Sequence, residues 1–253
     1  MEIKRALIIP DIHVGVSCDG IESHDQRAID LVLDVARDIK PDYLYILGDF
    51  LDAYSVSSHA KDPRIKSILK DEIYLANKLL DKFDQTCNWE QKHFLAGNHS
   101  HRVQRYIADK AADLFDLVRV EDLLKLSERG YVYHEYSPKQ LVRVGNSSLF
   151  ARHEPYSRSP EATARKAMCS LIYGHTHQLG EFQIVSANGD NYRAISCGWL
   201  GNYESPVFDY VKSRPNWAQG FSVCTILEDG VWFNNLVHII DYKCVVDGYL
   251  YVN

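Results

Sequence analysis

"RALIIPDIH", residues 5–13, is an apolar run that stops at Pro10 and then delivers Asp11 and His13. A short apolar run bounded by a breaker reads as a buried strand. The same arrangement recurs down the chain. DYLYILGDF (42–50) ends in Asp49 and KHFLAGNH (92–99) ends in Asn98 and His99. SSLFARHE (147–154) ends around His153, and CSLIYGHTH (169–177) carries His175 and His177. The histidine pair by itself is compatible with a plain turn or with a metal site, because imidazole serves both uses. Five strand ends with five polar clusters point to a shared purpose.

Helical patterns lie between these strands. Ala28, Val32, Val35, Ala36 and Ile39 share one face at a 3.6-residue period, and Ile65, Ile68, Leu69, Ala76, Leu79, Leu80 and Phe83 share another. This alternation predicts an α/β fold with helices covering a sheet. From about residue 140 the strand-like runs follow one another: QLVRV, SSLFARH, FQIVSA, YRAISCGWL, GFSVCTIL and VWFNNLVHII. ANGDN and LEDG between some of them are hairpin signals, so this half reads as a mainly β layer. No repeat or linker-like tract interrupts the chain, and residues 1–253 read as one domain, with about 198–253 supplying strands and loops that complete it. In α/β sheets ligand groups gather beyond the carboxyl ends of strands, so the polar clusters are expected to meet on one rim.

Together they comprise Asp11, His13, Asp49, Asn98, His99, His153, His175 and His177. Carboxylate and amide oxygens with imidazole nitrogens, and no thiolate, suit a borderline divalent ion such as manganese, iron, nickel or zinc. A calcium site would need more oxygens. Glycine precedes Asp49, Asn98 and His175, where it would let the backbone turn sharply.

Composition narrows the remaining choices. The chain is 46% hydrophobic and 25% charged, ordinary for a globular protein. Twenty-eight basic against 34 acidic residues give a net charge of -6, which argues against a protein that coats duplex DNA. The six cysteines have no CxxC spacing and read as reduced core residues of a cytoplasmic protein. No apolar stretch approaches a membrane span, and nothing in the pattern fixes an oligomeric state.

Asp11-Ile-His13, Gly48-Asp49, Gly97-Asn98-His99, His153 and Gly174-His-Thr-His177, in that order, resemble the five motif blocks of the calcineurin-like metallophosphoesterases. The resemblance implies a four-layer α/β/β/α sandwich with a dinuclear metal site at the sheet rim, manganese being the expected metal. One ion would take Asp11, His13, Asp49 and His177, and the other Asp49, Asn98, His153 and His175. It also implies hydrolysis of a phosphoester by in-line attack of metal-bound hydroxide, with His99 as the catalytic residue that serves the leaving group. The position after the GNH block, often acidic in relatives, is Ser100, and Asp52 in GDFLD is a candidate substitute for that carboxylate.

For the substrate, GDFLDAY puts Ala53 where the protein phosphatases of the superfamily carry arginine, which disfavours that subclass. Arg102 and Arg105 after His99, and Arg158, Arg165 and Lys166 in the 152–166 segment, suit additional phosphates. His59 and Lys61 are further cleft candidates. Trp199, Tyr203, Phe208, Tyr210, Trp217 and Phe221 are either core or a base-stacking platform. These features favour a phosphodiesterase or nuclease acting on DNA, RNA or a nucleotide, with Arg102, Arg158 and His59 as substrate contacts. A phosphomonoesterase for a small metabolite is the alternative, and a non-catalytic scaffold is disfavoured because all seven proposed ligands are present.

Overall fold

The computed structural model describes residues 2–15, 21–59, 61–63, 65, 67–209, 211 and 215–253. The opening run forms β1 (Ile3–Ile9), whose alternate side chains enter two different cores. Leu7 and Ile9 face helices, while Ala6 and Ile8 face a second sheet. Both faces of the strand are therefore covered, which explains why it reads as continuously apolar.

After β1 come α1 (Gln26–Ile39), β2 (Tyr43–Ile46), α2 (Leu69–Thr86), β3 (Gln91–Leu95), α3 (Asn98–Lys110), the short α4 (Val120–Leu123) and β4 (Tyr131–His134). Asp25 caps α1 by accepting from the Arg27 and Ala28 amides at 3.1 and 3.2 Å, and Lys40 ends it in a left-handed conformation. The second helical stretch is shorter than its sequence pattern suggests. It begins at Leu69, leaving Ile68 59% exposed and Ile65 packed against a separate aromatic cluster.

The second half supplies β5 (Val142–Arg143), β6 (Leu149–Arg152), α5 (Pro160–Ala167), β7 (Ser170–Tyr173), β8 (Leu179–Val185), β9 (Asn191–Cys197), β10 (Gly220–Leu227), β11 (Trp232–His238), β12 (Lys243–Val246) and β13 (Tyr249–Val252). They do not form one layer. One sheet has the order β5-β6-β7-β9-β8, whereas β10 and β11 extend the first sheet to β11-β10-β1-β2-β3-β4. β10 lies antiparallel to β1, pairing Ile8 with Ser222 and Ala6 with Cys224. Alternation in GFSVCTIL serves this placement: Phe221 and Val223 face the helices, while Cys224 and Ile226 face the other sheet.

The four layers follow from the cores. α1 and α2 cover one face of the six-stranded sheet, Tyr45, Leu47, Leu149, Ala151 and Ile172 pack between the sheets, and α5 covers Leu171, Tyr173 and Ala194 on the far side. The architecture is the expected α/β/β/α sandwich. Cys87, Cys169, Cys197, Cys224 and Cys244 are free thiols, while Cys18 lies outside the described residues. Among the described residues, no helix is long and apolar enough to cross a membrane.

Candidate metal centre

β1, β2 and β3 run parallel in one sheet, and β6 and β7 run parallel in the other. Their carboxyl ends deliver the motif residues to one rim, and backbone hydrogen bonds tie the delivering loops together. The His13 amide donates to the Asp49 carbonyl at 2.9 Å, Val14 to Phe50 at 2.7 Å and Leu200 to Asp11 at 2.7 Å. His13, Asp49, His175 and His177 hold φ values of 57°, 39°, 66° and 57°, a region that costs a side chain energy and is retained where the surroundings enforce it.

The glycines of these motifs act mainly through space. A Cβ on Gly97 would lie 2.2 Å from Asp49 Oδ1, and one on Gly174 would lie 2.5 Å from Asp11 Oδ2. Only Gly48, at φ +113°, also needs glycine's backbone freedom. The sharp turns expected from all three are therefore in large part close approaches, Gly97 and Gly174 leaving room for an acid and Gly48 for the His153 ring, each from another motif.

Each acid commits one oxygen to the backbone. Asp11 Oδ2 accepts from the His175 amide at 2.7 Å, and Asp49 Oδ1 accepts from the His99 amide at 2.8 Å. Asp11 Oδ1 is buried without a hydrogen-bond partner, and Asp49 Oδ2 stands 3.3 Å from His153 Nε2. The histidines are oriented similarly. His153 Nδ1 donates to the Leu47 carbonyl at 3.0 Å, and His13 Nδ1 stands 3.3 Å from Asp52 Oδ1, leaving each Nε2 as the inward atom. Those inward atoms face others of their own kind: His13 Nε2 is 2.9 Å from His177 Nε2, and Asn98 Oδ1 is 2.8 Å from His153 Nε2 and 3.0 Å from His175 Nδ1. Lone pairs converging on lone pairs, beside an orphaned carboxylate oxygen, require a cation or protons between them.

Three donor groups result: Asp11, His13 and His177; His13, Asp49 and His99; and Asp49, His153 and His175, the atoms of each lying within 4.8 Å of one another. The mixed nitrogen and oxygen donors fit divalent ions. Electrostatics reflect the crowding. Burial opposes the charge on Asp49, but His153 and then His99 outweigh it and hold the carboxyl well below its usual range. Burial pushes Asp11 up. His153 is pulled down by burial but raised by Asp49 to about 9, while burial and His13 press His177 well below the ordinary value.

Asp52 stands beside His99, as expected of the substitute carboxylate. Its Oδ1 lies 3.1 Å from His99 Nδ1 as well as near His13, and its carbonyl lies 2.8 Å from that same Nδ1. Burial opposes its charge, yet hydrogen bonds from His13 and His99 keep it ionised. Behind it sits Glu72, unremarked in the sequence, whose Oε2 accepts from the Ala53 amide at 2.8 Å. Burial and then Asp52 raise Glu72 to about 7. No motif signals this residue; an acid on the otherwise apolar face of α2 is the one trace.

Arg102 places Nη2 2.8 Å from His99 Nε2 and Nη1 3.1 Å from the Asp52 carbonyl. His99, Arg102, His59 and Lys61 line a cavity of about 690 Å³ beside the cluster. Arg158 is exposed and does not line it, so the substrate contact expected of Arg158 has no support in the geometry. Arg165 is engaged by Glu161 at 3.0 Å.

The aromatic run is core rather than an open stacking platform. Trp199 is fully buried and stacks on His177 at 5.0 Å, Trp217 meets the same imidazole edge-on at 4.5 Å, and Phe221 is buried in the helix-facing core. Phe208 lines the cavity, and Tyr210 lies outside the described residues.

The family model of the calcineurin-like phosphoesterases matches residues 4–179. The chain belongs to this family. As a calcineurin-like phosphoesterase it is a metal-dependent hydrolase of phosphoester bonds. Among solved structures it is similar to Yfce, a phosphoesterase from E. coli, at 14% identity, with 92% of this chain and 98% of that chain covered and a TM-score of 0.38, too low to add to the family assignment. No curated protein matches the sequence.

Proposed function

We propose that this phosphoesterase holds two divalent cations, manganese foremost and iron, nickel or zinc as alternatives, and hydrolyses a phosphodiester of nucleic acid or a nucleotide. Asp11, His13, Asp49 and His177 would hold one ion, and Asp49, Asn98, His153 and His175 the other. The observation that supports this reading is that Asp49 shares one donor group with His13 and another with His153 and His175, as a bridging carboxylate would. Bound there, the cations would neutralise phosphoryl charge and acidify a water.

The chain's own residues do the rest. His99 lines both the cluster and the cavity, and its Nε2 is the atom that hands a proton to the leaving oxygen. Burial disfavours its charged form, but Asp49 and then Asp52 overcome this and raise its affinity for the proton, while Arg102 opposes them. A guanidinium donating to Nε2 keeps that atom deprotonated; a phosphoryl oxygen that draws Arg102 to itself releases Nε2 to accept a proton. Substrate arrival thereby arms the acid.

Diester chemistry is favoured over the monoester alternative because the cavity continues beyond His99, giving room for a sizeable organic group. The net charge of -6 favours the monoester reading instead. Reduced thiols support residence in the cytoplasm, and the continuous layering supports one domain over 1–253. The test is hydrolysis of bis-p-nitrophenyl phosphate beside p-nitrophenyl phosphate with each metal, together with labelled single-stranded and duplex DNA. Faster monoester turnover, with no cleavage of DNA or of the diester, would refute the proposal.

A further inference from the structure

The cavity of about 690 Å³ has a definite position relative to the chemistry. Its inner wall is His99 with Asp52 behind it, and the same His99 belongs to a donor group with His13 and Asp49. A phosphoryl group held at the cluster with its departing oxygen toward His99 must extend its organic half into this space.

The walls differ in chemistry. One is apolar: Ile65, Val207 and Phe208 belong to the aromatic cluster around Trp199, and Phe208 meets His13 edge-on at 5.7 Å. This wall is anchored, since Trp199 is fully buried and in turn packs on His177. Another part of the lining carries the carboxylate of Asp209, an acceptor suited to hydroxyl or amino hydrogens. The volume falls within the roughly 300–1,000 Å³ that enclose a small organic ligand. A flat, largely apolar body bearing several donors satisfies both kinds of wall.

We infer that this cavity receives the leaving half of the phosphoester and that the leaving half it fits is a nucleoside. The inference rests on the hydrolase reading of the adjoining cluster and narrows it to substrates of nucleotide size. Hydrolysis consumes one water: its oxygen ends on phosphorus, the bond from phosphorus to the nucleoside oxygen breaks, and a hydrogen ends on the released nucleoside hydroxyl.

The test gives the full chain, with manganese, two diesters of one nucleotide, a dinucleoside monophosphate and the corresponding methyl ester, each followed by release of the alcohol that differs between them, the second nucleoside or methanol. The dinucleoside is favoured in kcat/KM by about tenfold or more, the scale of one well-filled pocket. Ile65→Trp, which fills the apolar wall, brings that ratio toward one. Free adenosine competes with bis-p-nitrophenyl phosphate on the unaltered protein, a readout that stands even where the variant fails to fold. Equal kcat/KM for the two diesters, or no competition by adenosine, overturns the pocket assignment. So does internal cleavage of a long single strand at a higher rate per bond than the dinucleoside, which would mean a polymer groove. Failure to hydrolyse any of these diesters with any divalent metal removes the diester reading of the adjoining cluster, whereas hydrolysis without leaving-group preference removes the pocket alone.

Discussion

Asp52→Asn isolates one charge from the rest of the centre. In the native protein a single oxygen, Oδ1, stands 3.3 Å from His13 Nδ1 and 3.1 Å from His99 Nδ1. Oδ2 has no partner, so the amide nitrogen of asparagine would take either a position without an acceptor or one facing two ring N–H groups. Each charge-assisted contact exceeds its neutral counterpart by about 1–1.5 kcal/mol, and two of them give about 2–3 kcal/mol. Lost in the transition state, that energy lowers kcat by about 30- to 150-fold, comparable with other changes to groups that orient metal ligands. The pH profile carries a sign. Asp52 is one of the groups raising His99, so its neutralisation lowers the His99 pKa, and the basic limb of kcat moves to lower pH. The assay is bis-p-nitrophenyl phosphate turnover across pH, with manganese content measured on the same samples. A variant that keeps its metal, turns over within about threefold of the parent and has an unmoved basic limb would show that Asp52 neither orients nor charges His99.

Gly174→Ala drives a Cβ to within 2.5 Å of Asp11 Oδ2, whereas a Cβ at Gly180 meets nothing within 4 Å. The first variant should lose bound metal and about 1–3 kcal/mol of stability and the second neither; elemental analysis and melting curves that fail to separate them would refute the close-approach argument. Arg102→Ala should raise KM by about tenfold, the loss of a charged phosphate contact, and an unchanged KM would leave Arg102 with no role in binding. Trp199→Leu opens the cluster behind His177 and should cost about 2–4 kcal/mol with weakened metal retention, checked by denaturant unfolding and competitive chelation. In chelated protein, burial pulls His153 down but Asp49 raises it from 6.5 to about 9. A raised folded-state value contributes stability that is complete below pH 6.5 and is lost as pH rises through about 9, roughly 3 kcal/mol at most. Scanning fluorimetry should show the chelated melting temperature falling over that window and manganese flattening the slope; parallel slopes with and without metal would count against a proton standing in for the cation.

The strand ends were legible because burial on both faces writes an apolar run and a catalytic rim interrupts it with polar residues. RALIIPDIH and CSLIYGHTH contain both signals within nine residues each. The features that local sequence does not show depend on contacts distant in the chain. Ile65 fits the helical period of α2 but packs against the cluster around Trp199, because tertiary burial overrides local periodicity. GFSVCTIL reads as a strand, yet only its pairing with β1 reveals that it belongs to the first sheet. Arg158 suits phosphate by composition, while in the structure it is exposed and lies outside the cavity lining. Glu72 carries no motif at all, since its role is defined by an amide nineteen positions earlier.

The left-handed residues connect these two levels. Outside the centre they occur where helix ends or hairpins call for them: Lys40 and Met168 close α1 and α5, and Asp247 sits in the turn between β12 and β13. Inside it His13, Asp49, His175 and His177 adopt the same conformation with no helix end to satisfy, and their strain is opposed by backbone bonds between loops from different strands. Ala53, also left-handed, is pinned by Glu72 so that the Asp52 carbonyl meets His99 and Arg102. Local preference thus gives way where donor atoms are brought together. Gly189 and Gly230 hold this region in the hairpins at no cost to a side chain. At the centre the donor residues themselves hold these positions, and the bonds between loops offset what the conformation costs them.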